Sequence, residues 1–162
     1  MTQLTPALRR SPAFWLASGF GCGLAPKAPG TVGTLVAVIP WLFFQQLPLP
    51  IYLGIVLATF GLGVWAAQRV IQLIEKEDPG VIVIDEFVGL WIALVALPAG
   101  LPWLLAGVLL FRLFDVSKPW PVSWADRKLH GGFGAMLDDA LAGLYALLMI
   151  QSVAWLLPRW GF

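Results

Sequence analysis

Two adjacent carboxylates, Asp138 and Asp139, stand in the stretch Gly131 to Gly143, GGFGAMLDDALAG, at the entrance of an apolar run that ends near Leu157. A second acidic pair, Asp85 and Glu86, lies near the start of another apolar run. Asp115 has Arg112 three residues before it and Lys118 three residues after it. Hard oxygen ligands of this kind suit Mg²⁺, which takes one or two carboxylates together with substrate phosphate oxygens. The flanking cations can bind phosphate and offset charge that develops on it, as phosphoryl transfer requires. The residue types therefore point to five carboxylates, Asp85, Glu86, Asp115, Asp138 and Asp139, converging on a metal that handles a phosphate. Ionised groups at a membrane boundary are expensive unless paired or bound to a cation. Like charges held close at low dielectric repel strongly and need a cation or protons. For any single pair the competing reading is helix capping, because acidic side chains in a first turn complement the macrodipole. Three acidic sites brought together by one topology favour the metal.

Other motifs carry less. Phe20 to Gly33, FGCGLAPKAPGTVG, is a candidate phosphate cradle in which glycines free the backbone amides and Lys27 supplies a point charge. The expectation is an irregular loop that delivers Thr31 or Thr34 as the N-cap of a following helix. No G-x-x-x-x-G-K-[ST] can be written there, so it is not a Walker loop. For Arg112 to Lys118 the competing reading is an ion pair at the membrane edge, with Trp120 as an aromatic anchor and Pro119 and Pro121 ending the helix. His130 is the sole histidine and Cys22 the sole cysteine, which speaks against a zinc site and excludes an intrachain disulfide. His130 is expected as a surface residue beside a Gly-rich turn. A C-x₅-R phosphate loop would need Arg where the chain has Ala28, so Cys22 is a poor nucleophile. No D-x-D surrounds Asp115, and no Lys is followed seven residues later by Arg-Pro.

The elements that must position these residues belong in a bilayer. The chain has 162 residues, of which 59% are hydrophobic and 12% charged. Its mean hydropathy is +0.84. Soluble domains carry roughly 25% charged residues and about 45–50% apolar ones. Nine Trp suit interfacial belts, and a net charge of +1 argues against nucleic acid as a partner. No linker divides the chain, so residues 1–162 read as one membrane-embedded domain. Residues 1–19 form an amphipathic N-terminal arm in this reading, its first part polar and carrying Arg9 and Arg10 along the cytoplasmic surface. Phe14 to Phe20 is too short for a signal peptide, so the spans themselves must insert the protein.

Apolar runs cover Thr34 to Leu47 (broken by Pro40), Ile51 to Gln68, Val81 to Leu97, Leu101 to Phe114 and Ala140 to Leu157. The predicted fold class is an all-α integral membrane bundle of about four to five membrane helices or partial spans, with an interfacial active site. Positive residues cluster in the arm and first loop, in a charged extension over residues 69–78, and from Arg112 to Lys128. The positive-inside rule places all three clusters on the cytoplasmic side. Only a hairpin at Pro98 to Pro102 achieves this, and the last run then exits on the opposite side with Arg159. The hairpin brings Asp85, Glu86 and Asp115 to the face where Asp138 and Asp139 arrive. Its segments are short, and full crossing and partial insertion both stay open. Gly89 follows Asp85 by four and Gly143 follows Asp139 by four, so on helices each acidic pair sits over a point where a neighbour can approach closely.

Four ordered motifs, APKAPGTVG, VIDEFVG, FRLFDVSKPWP and GGFGAMLDDALAG, resemble those of the phosphatidylglycerophosphatase A family. The match runs from about Phe20 to Gly143, with no departure at the charged motif positions. The resemblance implies a bacterial inner-membrane, multi-pass, Mg²⁺-dependent lipid phosphatase with an all-helical fold. Its substrate would be phosphatidylglycerophosphate and its product phosphatidylglycerol, with the active site facing the cytoplasm. It makes Asp85, Glu86, Asp115, Asp138 and Asp139 the metal and catalytic set, and Lys27, Thr31, Arg112 and Lys118 the phosphate contacts. The attacking group is either a metal-activated water or an aspartate that forms a phospho-enzyme. The membrane lipid holding the substrate is the expected partner, with no obligate protein partner. A CDP-alcohol-type phosphotransferase would carry D-G-x₂-A-R, yet no Asp in the chain precedes Gly. A small cation transporter would place its carboxylates mid-span rather than near span starts. A membrane adaptor would not require five clustered carboxylates.

Overall fold

The computed structural model describes residues 5–76 and 79–157, and among them every regular element is helical. Two short helices, α1 (Pro6–Arg9) and α2 (Pro12–Ala17), begin the chain. Thr5 and Ser11 cap them by accepting from the Leu8 and Phe14 backbone amides, each with proline in the first turn. The N-terminal arm is not merely draped on the surface. Leu8, Ala13, Phe14 and Ala17 are buried, and α2 packs against the later helix α4.

After a 3₁₀ turn at Cys22–Leu24 comes α3 (Pro29–Phe44). It starts earlier than the sequence suggests, because Ala28 takes a left-handed conformation (φ 47°) and Pro29 supplies a preset φ at the first helical position. Thr31 and Thr34 therefore lie inside the helix and cap nothing; the Thr34 hydroxyl donates to the Gly30 carbonyl at 2.9 Å. Pro40 does not break the run. The helix passes through it and continues to Phe44, losing the one hydrogen bond that proline cannot donate.

Helices α4 (Leu49–Ile74) and α8 (Gly131–Leu156) have 26 residues each and are long and apolar enough to cross a bilayer. The expected four to five membrane helices or partial spans thus reduce to two helices of bilayer length. α3 has 16 residues, α6 (Leu101–Ser117) 17 and α5 (Ile84–Ala93) only 10. At about 1.5 Å per residue, ten residues rise roughly 15 Å, half of a hydrocarbon core. A short helix α7 (Val122–Lys128) precedes α8. Arg159, and residues 77 and 78 of the charged extension, lie outside the described residues.

Helix α5 is the centre. It packs most closely on α8 and also touches α3, α4 and α6, and eight of its ten residues are buried: Ile84, Glu86, Phe87, Val88, Gly89, Leu90, Trp91 and Ala93. Its packing on α8 rests on the two glycines. A Cβ on Gly143 would lie 2.2 Å from the Gly89 carbonyl oxygen, and one on Gly89 would lie 2.7 Å from that of Asp139. The Trp91 indole donates to the Ala37 carbonyl at 2.8 Å, and the Tyr52 hydroxyl donates to the Trp91 carbonyl at 2.6 Å, tying α3 and α4 to α5. Outside this core the bundle turns apolar side chains outward, including Phe43, Leu57, Leu109 and Leu148. Apolar exposure this extensive suits contact with lipid tails.

Candidate active site

A cavity of about 550 Å³ opens where the starts of α5 and α8 meet the end of α6, with α7 and the start of α3 at its margin. Asp85, Glu86, Asp115, Asp138 and Asp139 all line it, as do Arg112 and Lys118. The antiparallel course of α5 and α6 brings the acidic start of one beside the Arg112 to Lys118 end of the other. Helix α8 begins at Gly131, well before Ala140, so Asp138 and Asp139 lie two turns inside it and cannot be first-turn caps. Asp85 and Glu86 do occupy the first turn of α5.

The seven charged groups divide into two kinds. Arg112 donates to Asp115 through Nη1, which also lies 3.8 Å from Glu86 Oε1. Lys118 Nζ donates to Asp138 Oδ2 at 2.9 Å and to Asp126 Oδ1. These pairs hold the two cations at the cavity wall. Asp85, Glu86 and Asp139 instead face one another, with one oxygen from each lying within 4.8 Å of the others.

Burial makes this arrangement costly. Glu86 is 9% exposed, Asp138 8% and Asp139 5%, and Glu86 Oε2 and Asp138 Oδ1 are buried with no hydrogen-bond partner. A buried carboxylate oxygen without a partner forfeits its hydration for nothing in return. Burial pushes the Asp85 carboxyl above its ordinary range, more than its hydrogen bonds with Glu86 can offset. Burial, then repulsion from Asp85, raises Glu86 further. A divalent cation would satisfy the orphaned oxygens and reverse the repulsion together. The donor set, all carboxylate oxygen, is of the class that Mg²⁺ takes. The residues present fit that ion.

Lys118 is the cation most deliberately held. Burial alone would lower its pKa, but the carboxylates of Asp126 and Asp138 outweigh burial and hold the ammonium above its usual value. Its backbone is left-handed (φ 44°), at the position closing α6 where glycine is usual. Such a conformation costs about 1–3 kcal/mol in a residue with a side chain, and the two carboxylate contacts help to hold it.

Lys27 and Thr31 are exposed and do not line the cavity. Their segment reaches it through Pro29 and Gly30 instead. A Cβ on Gly30 would lie 2.1 Å from Glu86 Oε1, so any side chain there would have to displace that carboxylate. Asp126 and His130 also line the cavity, and sequence reasoning passed over both as site residues. His130 is exposed, as expected of a histidine beside the Gly-rich turn, but at the cavity margin. Asp126 carried one faint signal: α7 is amphipathic, with Val122 and Ala125 buried and Trp124, Arg127 and Lys128 exposed. Cys22 lies outside the cavity, and burial pushes its thiol up, against nucleophilic use.

Comparison with known proteins follows the same lines. The family model described as Phosphatidylglycerophosphatase A matches residues 15–154. Phosphatidylglycerophosphatase A of Escherichia coli is 43% identical over 135 residues, covering 83% of this chain and 78% of that protein. Its Haemophilus influenzae counterpart is 39% identical over 163 residues, covering 97% of this chain and 100% of that protein. A Bacteroides thetaiotaomicron relative, 40% identical over 154 residues (88% of this chain, 93% of that protein), carries the provisional name phosphatidylinositol-3-phosphatase. No solved structure matches the chain.

Proposed function

Since the chain belongs to the phosphatidylglycerophosphatase A family and is therefore a phosphatase, we propose that it removes the terminal phosphate of phosphatidylglycerophosphate in a Mg²⁺-dependent reaction at the cytoplasmic face of a bacterial inner membrane. One observation carries this reading. Three mutually facing carboxylates and two cations held by carboxylates share one cavity at the end of the bilayer-length helix α8. A lipid phosphomonoester needs such a site, with charge at headgroup depth and apolar surface beside it.

Asp85, Glu86 and Asp139 would hold the ion, with Asp138 close by. When bound, Mg²⁺ neutralises phosphate oxygens and increases the acidity of a coordinated water. Arg112 and Lys118 bind the remaining phosphate oxygens, and their positive charge stabilises the transition state. Asp115 and Asp126 keep those cations aimed into the cavity. Water is the better-supported attacking group, because Asp115 and Asp138 each hold a cation and the other three carboxylates face one another. No aspartate stands apart as a free nucleophile. A carboxylate accepts the proton of the water as its oxygen bonds to phosphorus. The bond from phosphorus to the glycerol oxygen breaks, that oxygen takes the proton from the carboxylate, and phosphatidylglycerol and inorganic phosphate leave.

The inner-membrane, multi-pass and cytoplasm-facing parts of the proposal rest on the two apolar helices and on charge. Arg9, Arg10, Lys27, Arg69, Lys76, Arg112, Lys118, Arg127 and Lys128 fall in the three clusters that the positive-inside rule assigns to one side.

The test is phosphate release from phosphatidylglycerophosphate by the purified protein in detergent, with Mg²⁺ and then with chelator. Release that requires the ion and disappears in Asp139→Asn is expected. Phosphatidylinositol 3-phosphate, offered in parallel, should be hydrolysed far more slowly. Equal or faster turnover of the inositol lipid would move the substrate assignment, and undiminished release in chelator would remove the metal from the mechanism.

A further inference from the structure

Outside the catalytic cavity, a groove of about 510 Å³ runs between the N-terminal helices and the last turns of α4. Its walls are largely apolar, with Ala7, Ala13, Trp65 and Leu73 among them, and two guanidinium groups, Arg10 and Arg69, line it as well. Among the described residues neither arginine forms an ion pair. This is the opposite of Arg112 and Lys118, whose charge is taken up by carboxylates. Trp65 lies one turn before Arg69 on the same face of a bilayer-length helix, and both are exposed. An exposed indole at the end of a span marks headgroup depth. The groove lies at the same end of the bundle as the catalytic cavity, because Gln68 accepts from the Gly132 amide at 2.9 Å where α8 begins. A second depression shares Trp65, Arg69 and Gln72 with the groove and His130 with the catalytic cavity.

We propose that this groove is a binding site for an anionic phospholipid of the surrounding bilayer, separate from the catalytic centre. Arg10 and Arg69 take the phosphodiester, and an acyl chain lies along Trp65 and Leu73. Two guanidinium groups without a carboxylate partner among the described residues suit a phosphate, whose oxygens match their planar donor fork. Apolar walls beside them suit an acyl chain and give a free anion nothing. Among the described residues no carboxylate lines the groove, so they offer no means to hold a divalent ion, and a lipid seated there is bound rather than hydrolysed. The shared lining places that lipid beside the catalytic cavity. Occupancy there makes the enzyme sensitive to the anionic lipid content of its membrane.

The experiment needs no turnover, and because the titrant is also the proposed product, variants confined to the groove separate binding here from binding in the catalytic cavity. Purified full-length protein in detergent micelles is titrated with phosphatidylglycerol or, in parallel, with phosphatidylcholine, and bound lipid is counted by native mass spectrometry. Arg10→Gln/Arg69→Gln should weaken phosphatidylglycerol binding about tenfold, and the exposed pair Arg127→Gln/Lys128→Gln should change it by less than about twofold. Ala7→Trp, which fills the groove and leaves the charge, should weaken it too, and thermal melting of each variant reports whether the fold is intact. Wild-type protein that bound both lipids equally would overturn the proposal. So would undiminished binding in the folded groove variants, or an equal loss in the Arg127/Lys128 pair, which would mean diffuse charge and no site.

Discussion

Lys118 shows how one side chain in this protein is set for its task. It closes α6 with a left-handed backbone, and its ammonium sits between Asp126 and Asp138. Its part in the site is charge at a fixed place, so Lys118→Met should lower phosphate release about 10²- to 10³-fold at saturating substrate, the usual loss for one donor to a developing anion. Lys118→Arg should recover part of it. Equal rates in Lys118→Met and wild type would show that the ammonium holds the fold and does not touch the phosphate. The acidic residues and Lys118 are legible in the sequence, since carboxylates and cations are rare in so apolar a chain and their types carry their chemistry. Asp126 is not, because its link to Lys118 exists only after the chain turns through Pro119 to Pro121. Nor is it legible that the carboxylates split into partners of cations and a set that faces one another; that depends on which oxygens end up closest.

At the scale of elements, α5 and α8 meet through glycine. The repeated spacing of acidic pair and glycine four residues on is visible in the chain, and the two glycines do mark the point of closest approach. Gly143→Val should therefore be severely disruptive, because its Cβ would lie 2.2 Å from a backbone carbonyl that no rotamer change can move. Overpacking of this kind costs about 1–3 kcal/mol or more, read as a lower melting temperature in detergent. Gly54→Ala, which meets nothing within 4 Å on the same scale, should leave melting unchanged or slightly raised. Similar melting for both variants would mean that α5 and α8 are not held at this distance. Periodicity misjudged the boundaries for physical reasons. Gly131 to Gly134 looks like a breaker, yet Gly132 sits where a Cβ would lie 2.1 Å from the Val64 carbonyl, so glycine there serves the packing of α8 on α4.

For the whole molecule the question is how the bundle sits in a membrane. Among the described residues only α4 and α8 have bilayer length; α5, mostly buried among other helices, is too short to cross. The carboxylates can therefore sit at headgroup depth beside apolar helix surface, where a lipid phosphate would present itself. Orientation is tested by a single thiol on α7. In a Cys22→Ser background, Lys128→Cys should react with a membrane-impermeant maleimide in inside-out vesicles and stay unlabelled in right-side-out spheroplasts. Labelling from the outer side would invert the proposed orientation and leave the site chemistry untouched.

By itself the sequence determined the class of the protein: a helical, membrane-suited chain with five carboxylates, Arg112 and Lys118 in ordered motifs of a phosphatase family. Those properties are set by residue type, order and hydropathy, which survive without knowledge of what touches what. Only the tertiary structure decided that α5 is enclosed and not a span, that Gly30 closes over Glu86, that Lys27 and Thr31 stand outside the cavity, and that Asp126 and His130 border it. It also decided that Arg10 and Arg69, 59 positions apart in the chain, line one groove. Each of these depends on distances between segments remote in sequence, and local pattern carries no term for them.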